Sequence, residues 1–323
     1  MNKILLVKIT SMGDLIQMLP ALTDAAKAIP GIQFDWLVEE SFQEIPRLHP
    51  TVDKVIALPY RRWKKNKIQA IQQGEVSAFL QQARSEPYDS IIDAQSNFKS
   101  AFVSMLAKGR RYGLDGKSVR EYGAHWAYHK KISISRLQNH ALRLRQMLAS
   151  LLDYELPHTP PDYGIIQSNL PALDFLLPER FIFIVPIASC ANKLWPEAYW
   201  QEVIQDLIKS GYEILIPWWS KEEKERAIRL KNNRDPVHLL PQLNLAQKAT
   251  VLTKAQAAIS VDTGLAHMAA ALNIPNVCLY GPTNPEHCGT YGYKQVHLSS
   301  GTPTGLEAIK PQAVLEAFYK RLV

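Results

Sequence analysis

The sequence predicts an α/β protein with two doubly wound domains, each built on a parallel sheet. Short apolar runs alternate with longer helix-permissive segments through both halves, a pattern typical of parallel strands joined by crossover helices. A proline-rich segment at residues 156–163 interrupts this alternation near the middle of the chain. The 323 residues are enough for two domains of ordinary size. We therefore assign residues 1–160 to the first domain and residues 161–323 to the second.

Nine apolar runs of four to six residues are the predicted strands. They cover residues 4–9, 34–38, 54–58, 90–94, 181–186, 213–217, 237–240, 257–261 and 276–280. Helices are predicted near residues 14–28, 74–85, 97–107, 196–210, 221–231, 245–254 and 264–272. We expect a final helix, at about residues 311–322, to pack back on the first domain. Ligands of doubly wound sheets bind beyond the carboxyl ends of the strands, so the turns there are the candidate site, with the domains facing a common cleft.

Charge and cysteine content narrow the classes of function. The net charge is +7, and residues 1–165 hold 22 Lys and Arg against 16 Asp and Glu, which is +6. The cations cluster in residues 61–67 and 99–145, which attract phosphates, nucleic acid or an anionic membrane unless they only form a solvated face. Three cysteines without a Cys-x-x-Cys pair favour a reducing compartment over a disulfide or zinc framework. Without a signal peptide or a run of about 20 apolar residues, we expect a cytosolic protein.

The turn after the strand at 257–261 is the strongest candidate for a phosphate site. It reads Asp262-Thr263-Gly264 and leads into a predicted helix that contains His267. Free N–H groups at a helix start bind anions, Gly264 lets a ligand approach the backbone, and Thr263 adds a hydroxyl. Asp262 and His267 flank the turn and are suited to hold a sugar hydroxyl or a phosphate oxygen. The alternative is that Asp262 or Thr263 only caps the helix, and the sequence leaves both interpretations open.

Two more turns of the second domain carry polar groups. Ser189 and Lys193 follow its first strand, where a hydroxyl and an ammonium are suited to bind a diphosphate. Pro217 and Trp218 follow its second strand, and Glu223 lies at the start of the next helix. A carboxylate in that position binds the two hydroxyls of a ribose or, equally well, stabilises the positive end of the helix dipole.

The turns of the first domain indicate acid–base chemistry without a cofactor. Asp14, after the first strand, is either a helix cap or a general base that takes a proton from an attacking hydroxyl. Gln95 and Lys99, after the fourth strand, are suited to orient a hydroxylated, acidic ligand unless Lys99 is a plain surface residue. Only Gly13 stands where a dinucleotide fold needs G-x-G-x-x-G, so we expect no nicotinamide or flavin cofactor. No Asp-x-Asp pair occurs, and we therefore expect no metal on a diphosphate.

Several segments, spread in order over essentially the whole chain, match one known family. They are residues 8–14, 19–25, 34–36, 38–40, 61–63, 92–95, 99–100, 193 with 195–196, 261–265 with 267, and 280–283. In this order they resemble the bacterial lipopolysaccharide heptosyltransferases, glycosyltransferase family 9, and most closely the heptosyltransferase I branch. The chain departs from the family at Ala188, where many members carry a second hydroxyl, and at Ala191-Asn192, where many carry a charge. Residues 101–137 match poorly.

The resemblance implies a GT-B fold, with two facing Rossmann-like domains and a central cleft. It implies inverting, metal-independent transfer of L-glycero-D-manno-heptose from ADP-heptose to the first Kdo of Kdo2-lipid A, with Asp14 as the base. The implied donor-site residues are Ser189, Lys193, Pro217, Trp218, Glu223, Leu243, Asp262, Thr263, Gly264 and His267. The implied acceptor-site residues are Arg61, Arg62, Lys64, Lys65, Gln95, Lys99 and Arg120. The implied location is the cytoplasmic side of the inner membrane, as a peripheral protein, with no nucleic-acid partner.

Three alternatives remain at this point. One is heptosyltransferase II, which acts on an acceptor that already carries a heptose, although Phe34-Asp35-Trp36 and Arg61-Arg62-Trp63 favour the first branch. Another is a basic nucleic-acid-binding protein, but the cations lack the regular aromatic interleaving of base-stacking surfaces. The third is a sugar-nucleotide epimerase of the same architecture, which would convert the donor without an acceptor.

Overall fold

A computed structural model describes residues 3–302 and 305–321 of the chain. The chain divides into two compact units, one ending at Ile166 and the other beginning at Gln167. Each unit has one six-stranded parallel sheet with helices between its strands, so the predicted class of two doubly wound α/β domains is confirmed.

The sheet of the first unit has the strand order β3-β2-β1-β4-β5-β6. Its strands are β1 Lys3–Val7, β2 Gln33–Glu39, β3 Val52–Leu58, β4 Pro87–Asp93, β5 Lys108–Leu114 and β6 Lys130–Ile132. Its helices are α1 Met12–Ile16, α2 Leu19–Ala28, α3 Glu44–Arg47, α4 Tyr60–Lys65, α5 Lys67–Gln72, α6 Glu75–Ala83, α7 Phe98–Ser104 and α8 His140–Leu152. The central strand β1 reads as a continuous apolar run because helices cover both of its faces, and Leu5, Leu6 and Val7 are fully buried.

The sheet of the second unit has the order β12-β11-β10-β7-β8-β9, which repeats the topology of the first. Its strands are β7 Phe181–Val185, β8 Glu213–Ile216, β9 Val237–Leu239, β10 Ala257–Val261, β11 Asn276–Tyr280 and β12 Gln295–Ser299. Its helices are α9 Glu197–Lys209, α10 Lys221–Lys231, α11 Leu245–Lys254, α12 Gly264–Ala271, α13 Pro285–Cys288 and α14 Pro311–Arg321. Every residue of β7, β10 and β11 is buried.

Each sheet has one point where the chain reverses its direction of winding. In the first unit, β1 pairs with β4, and in the second β7 pairs with β10, both parallel. Ligands of doubly wound sheets bind in the crevice at such a switch point, beyond the carboxyl ends of the two strands. The turns after β1 and β4, and after β7 and β10, are therefore the places where each unit is built to bind a ligand.

All nine predicted strands exist, with ends that differ by a few residues at most. The predictions missed the strands β5, β6 and β12 and the helices α3, α4, α5, α8 and α13. Strand β5 reads Lys-Gly-Arg-Arg-Tyr-Gly-Leu, in which cations and glycines hide the apolar pattern, and β6 has only three residues. Helix α8 begins inside the basic segment at residues 99–145, which we interpreted by its charge rather than by its periodicity.

The final helix packs in its own unit. Helix α14 lies against α9 and β11, and Val314 and Phe318 belong to the core of the second unit. Its predicted last residue, Leu322, lies outside the described residues, and packing of this helix on the first domain stays a prediction. Within residues 3–302 and 305–321, no helix is both long enough and apolar enough to span a bilayer.

Candidate functional site

The switch point of the second unit brings Lys193 and Asp262 together. Lys193 ends a 3-10 turn, Ala191–Lys193, in the loop after β7, and Asp262 directly follows β10. The Lys193 Nζ lies 2.5 Å from Asp262 Oδ2, and the two side chains are 26% and 9% exposed. The carboxylate therefore holds the ammonium beside the start of α12, where a ligand phosphate gains both the cation and the helix N-terminus.

Thr263 has a hydroxyl that the protein itself does not use. The residue occupies the N-cap position of α12, yet its side chain makes no capping hydrogen bond. Its Oγ1 is buried and has no hydrogen-bond partner among the described residues. A buried hydroxyl without a partner costs free energy, so this atom indicates a ligand rather than a helix cap. The geometry decides against the capping interpretation of Thr263 that the sequence left open.

The other predicted phosphate-site residues lie on the same two turns. Gly264 is the first residue of α12, and His267 is buried one turn further into the helix. Ser189 is exposed in the loop after β7, where its hydroxyl lies 3.8 Å from the Cys190 sulfur. Gly281 allows the carbonyl of Asn192 to approach closely, because a Cβ at this glycine would lie 3.1 Å from that oxygen. The close packing at Gly281 therefore supports the turn that ends at Lys193.

The predicted nucleotide pocket has one fixed aromatic ring. The Trp218 indole N–H donates to the Leu240 carbonyl at 2.7 Å, and the Lys224 ammonium lies 4.6 Å from the centre of its ring. Pro217, which follows β8, and Leu243, which follows β9, are both buried. Trp218 is thereby held at the carboxyl end of β8, next to the switch-point strand β7.

Glu223 serves its own helix in the structure. Its Oε2 accepts hydrogen bonds from the N–H groups of Trp219 and Ser220 at 2.7 and 3.1 Å. The Ser220 hydroxyl accepts one from the Glu223 N–H in return, which completes a capping box. The helix-start interpretation is therefore realised, and binding of a ribose by Glu223 stays a prediction.

Asp14 lies at the switch point of the first unit. It is the third residue of α1, and its Oδ2 accepts hydrogen bonds from the Ser11 N–H and Oγ at 2.9 and 3.0 Å. Its Oδ1 lies 3.7 Å from His140 Nε2, and the side chain is 32% exposed. Burial raises the pKa of Asp14, but Lys8, His140 and the Ser11 hydrogen bonds outweigh it and lower this pKa from 3.8 to about 2. Asp14 is thus an accessible carboxylate at neutral pH.

Two residues that sequence reasoning missed surround Asp14. The buried Lys8 Nζ donates to the Ala94 carbonyl at 3.2 Å and lies 3.3 Å from His140 Nε2. Burial lowers the pKa of Lys8, whereas the negative charges of Asp14 and Asp93 raise it. In the sequence, Lys8 stands out only as part of a segment that resembles the family. His140 carried no local signal, because it is 126 positions beyond Asp14 in the chain.

Gln95 connects two turns of the first unit. Its Oε1 accepts hydrogen bonds from the Ile9 and Thr10 N–H groups at 2.6 and 3.0 Å, and the residue is 8% exposed. Its own N–H donates to Asp93 Oδ1, which is fully buried. Gln95 therefore ties the turn after β4 to the turn that leads to Asp14. The amide oxygen is thereby occupied by backbone N–H groups, and orientation of a ligand by Gln95 stays a prediction.

Arg62 is paired with two carboxylates of its own unit. Its guanidinium pairs with Glu75 at 2.6 Å and with Glu40 at 3.2 Å, and Trp63 Nε1 donates to the same Glu75 at 2.7 Å. These two carboxylates neutralise Arg62 and hold α4 against its neighbours. Contact of Arg62 with an acidic ligand stays a prediction.

The remaining cations lie on exposed or half-buried parts of the first unit. Arg61 lies over the Phe42 ring at 5.1 Å, and the Lys99 Nζ lies 4.8 Å from the centre of the Tyr60 ring. Burial lowers the pKa of Lys99, and Glu39 acts in the opposite direction. Lys64, Lys65 and Arg120 are exposed, and the Arg120 N–H donates to the Ser96 carbonyl at 3.0 Å in the turn after β4. An acidic ligand at Asp14 therefore meets a basic surface.

No group of three His, Cys, Asp or Glu side chains is placed to hold a metal ion within residues 3–302 and 305–321. The expectation that the chemistry needs no metal stays a prediction.

The fold and the two switch-point sites define a class, the GT-B glycosyltransferases, which have two Rossmann-like domains. The sequence model of glycosyltransferase family 9 (heptosyltransferase) matches residues 76–315. Lipopolysaccharide heptosyltransferase 1 of Pseudomonas aeruginosa is 45% identical to this chain over 93% of it and 84% of the relative. The chain therefore belongs to glycosyltransferase family 9, and the prediction that it is a glycosyltransferase is confirmed.

Solved structures support the same branch. E. coli heptosyltransferase WaaC with ADP is 39% identical, with a TM-score of 0.91 over 99% of both chains. WaaC with ADP-2-deoxy-2-fluoro heptose has a TM-score of 0.89 at 39% identity, over 98% of this chain and 99% of that one. E. coli heptosyltransferase II is more distant, with 22% identity and a TM-score of 0.78 over 99% and 98% of the chains, so it shows a shared fold alone.

Proposed function

We propose that the protein transfers L-glycero-D-manno-heptose from ADP-heptose to the first Kdo of Kdo2-lipid A. The observation that carries this proposal is the unpartnered Thr263 hydroxyl beside the Lys193–Asp262 ion pair, at the start of α12. A similar chain was solved with ADP-2-deoxy-2-fluoro heptose, a ligand whose diphosphate suits such a turn. The reaction inverts the anomeric carbon and uses no metal.

The second unit activates the donor by stabilising its leaving group. As the bond between the anomeric carbon and the diphosphate oxygen breaks, both electrons stay on ADP, whose negative charge grows. Lys193, the Thr263 hydroxyl and the N–H groups at the start of α12 bind that charge. Asp262 keeps the Lys193 ammonium in place before the donor arrives. Trp218, Pro217 and Leu243 contact the adenine, while Glu223, Ser189 and His267 hold the ribose, the diphosphate and the heptose.

The first unit activates the acceptor. A hydroxyl oxygen of Kdo attacks the anomeric carbon, and its proton passes to the Asp14 carboxylate as the new glycosidic bond forms. Lys8 and His140 hold the free Asp14 strongly ionised, which makes it a weak base. The carboxylates of an acidic acceptor partly neutralise the positive charges of Lys8 and His140. Acceptor binding therefore raises the pKa of Asp14 and makes its carboxylate a stronger base.

The basic surface of the first unit supports an acidic acceptor. Arg61, Lys64, Lys65, Lys99 and Arg120 present positive charge to the carboxylates and phosphates of Kdo2-lipid A. We further propose that the protein works as a peripheral protein on the cytoplasmic side of the inner membrane, where a soluble nucleotide sugar meets a lipid acceptor.

The direct test offers the purified protein ADP-heptose with either Kdo2-lipid A or its monoheptosylated form, and weighs the lipid product. We expect the mass of one heptose to be added to Kdo2-lipid A and none to the monoheptosylated form. Addition only to the monoheptosylated lipid would identify a heptosyltransferase II instead. Conversion of ADP-heptose without an acceptor would indicate an epimerase, and salt-sensitive RNA binding without affinity for ADP-heptose a nucleic-acid-binding protein.

A further inference from the structure

Five large apolar side chains lie exposed in the first unit, in the region that follows the turn after β4. Phe98, Phe102 and Met105 are 57%, 59% and 46% exposed, and Tyr122 and Trp126 are 73% and 72% exposed. We call these five residues the aromatic patch. Single apolar residues on a surface need no explanation, but a contiguous group of this size marks an interaction site.

The five side chains are neighbours. Phe98, Phe102 and Met105 are spaced i, i+4 and i+7, so they share one face of α7. The rings of Phe98 and Trp126 flank Gly123, where a Cβ would lie 3.1 Å from Phe98 and 3.5 Å from Trp126. The ring centres of Tyr122 and Trp126 are 6.2 Å apart. The patch is therefore one continuous surface formed by α7 and residues 122–126.

The backbone beneath the patch is firmly built. The Phe98 N–H donates to Glu121 Oε2 at 2.8 Å, and the Ser96 carbonyl accepts the N–H of Arg120 at 3.0 Å. Asn97 caps α7 through its side chain. These hydrogen bonds hold the backbone in place, while the five side chains remain exposed outside the core.

Cations lie close to the patch along the chain. Lys99, which is half-buried, follows Phe98 directly, and Lys117, Arg120 and Arg136 are exposed in the segment that joins β5 to α8, which also holds the exposed Glu121. The Arg136 guanidinium donates to the Arg120 carbonyl at 3.2 Å, which keeps these two residues together. Trp, Tyr and Phe beside Lys and Arg are the composition that partitions into the interface of an anionic bilayer, where rings enter the headgroup region and cations meet lipid phosphates.

We propose that the aromatic patch docks the first unit on an anionic lipid bilayer. Helix α7 begins just beyond the carboxyl end of β4, on the rim that also carries Asp14. A lipid acceptor then reaches Asp14 with its sugar headgroup while its acyl chains stay in the membrane. This surface deepens the proposed function, since it supplies the route by which a membrane-bound acceptor meets the site.

Vesicle flotation with the full chain tests the proposal. We expect the wild type to bind phosphatidylglycerol vesicles far better than phosphatidylcholine vesicles. A Phe102→Ser/Trp126→Ser variant removes two exposed rings without disturbing the core, and we expect at least about tenfold weaker partitioning onto phosphatidylglycerol. Leu176→Ser, at a site 97% exposed in the second unit, is the matched control and is expected to bind like the wild type.

Two outcomes of flotation overturn the proposal: no flotation of the wild type, or equal flotation of the double variant and the control. Sedimentation supplies a third, because a wild-type dimer that the double variant converts to a monomer would make the patch an interface between copies. Brominated lipid gives a positional readout, since we expect it to quench the wild-type fluorescence more than that of Trp126→Phe. None of these readouts needs heptose transfer, so failure of the transfer assay leaves them standing, and the reverse also holds.

Discussion

At the residue scale, the contacts of Thr263 distinguish a ligand-binding role from a helix-capping role. Most helices satisfy their first N–H groups with a side chain at the N-cap, and removal of such a cap costs about 1 kcal/mol. Thr263 has the residue type and the position of a cap without the hydrogen bond. Its Oγ1 is instead buried without a hydrogen-bond partner among the described residues, at the start of α12 and directly after Asp262, which holds Lys193. A bound phosphate satisfies such an arrangement.

For Thr263→Val we therefore expect ADP to bind about tenfold more weakly, because one hydrogen bond to a charged group is lost. The midpoint of thermal unfolding of the free protein should change by no more than about 1–2 °C, because the free protein makes no hydrogen bond with this hydroxyl. Calorimetry and thermal unfolding measure the two effects. Thr250→Val is the opposite control, because Thr250 Oγ1 donates to the Pro171 carbonyl at 2.8 Å. It should lose stability and keep its ADP affinity.

Asp14→Asn tests the proposed base. The amide has almost the same shape but cannot take a proton, so we expect the turnover rate to fall by about 10²–10⁴ while ADP-heptose affinity is retained. Steady-state kinetics and calorimetry measure the two quantities. Asp53→Asn, an exposed aspartate of β3, is the matched control and should behave as the wild type. Turnover of the Asp14 variant within threefold of the control would remove Asp14 from the mechanism.

The low pKa of Asp14 predicts a pH-dependent contribution to stability. The folded-state pKa of about 2 lies below the ordinary value of 3.8, so the ionised carboxylate stabilises the folded protein above pH 4. This contribution, at most about 2 kcal/mol, is lost as the pH falls from about 4 to 2. Other acidic groups titrate in the same range, so the useful quantity is the difference in unfolding free energy between the wild type and Asp14→Asn. A difference that does not shrink between pH 4 and pH 2 would contradict the strong ionisation of Asp14.

At the element scale, α8 connects the surroundings of the proposed base to the proline-rich segment at residues 156–163. His140 lies at its first turn near Asp14, and Arg145 lies one turn further along. Arg145 pairs with Asp24 of α2 at 2.6 Å, and both side chains are almost fully buried, at 2% and 3% exposure. The same guanidinium donates to the carbonyls of Thr159 and Pro157 at 3.1 and 3.3 Å. One side chain thus joins α8, α2 and the proline-rich segment.

Arg145→Met should destabilise the protein by about 3–5 kcal/mol, since it leaves the Asp24 carboxylate buried without its partner. In an Asp24→Leu/Arg145→Met variant the unpaired charge is gone, and we expect most of the loss to be recovered. Urea unfolding of the single and double variants measures both changes. An equally large loss in the double variant would show that the carbonyl contacts of Arg145, rather than the buried charge, dominate.

At the scale of the whole molecule, the two units differ in charge although they share a topology. Residues 1–165 carry +6 of the net charge of +7. The first unit holds most of the excess positive charge and the aromatic patch. The second holds the unpartnered Thr263 hydroxyl and the Lys193–Asp262 ion pair of the proposed diphosphate site. This division matches a reaction between a soluble nucleotide sugar and an acidic, membrane-bound acceptor.

Hydrogen exchange of the full chain can test whether the second unit binds ADP and the first unit binds the acceptor. We expect ADP to protect the backbone N–H groups of residues 189–193 and 262–267 in the second unit, because ligand contacts there suppress local opening. A soluble Kdo-containing acceptor should protect residues 8–14 and 95–99 of the first unit instead. Mass spectrometry of peptides reads both patterns, with α6, at Glu75–Ala83, as an internal control that should not respond. Protection by ADP confined to the first unit would reverse the assignment.

The sequence allowed much of this to be predicted, and the failures have identifiable causes. The alternation of short apolar runs and helical segments predicted the fold class, because β7, β10 and β11 are buried on both faces and read as unbroken apolar runs. Strand β5 was missed since its cations and glycines hide that pattern. Arg62 and Gln95 were predicted as ligand contacts from their places after strands and from the family resemblance. The partners that they have within the protein lie 13 or more positions away and appear only in the fold.

The sequence by itself determined the fold class, the family and the turns proposed to carry the chemistry. All of these depend on local periodicity, on turn residues next to strand ends and on ordered motifs. Only the tertiary structure decided which polar groups are already satisfied. It shows Thr263 with a free hydroxyl, Lys193 held by Asp262, and Asp14 surrounded by Lys8 and His140. The physical reason is that hydrogen bonding, burial and pKa depend on neighbours in space, which parallel strands bring together from positions more than 60 residues apart in the chain.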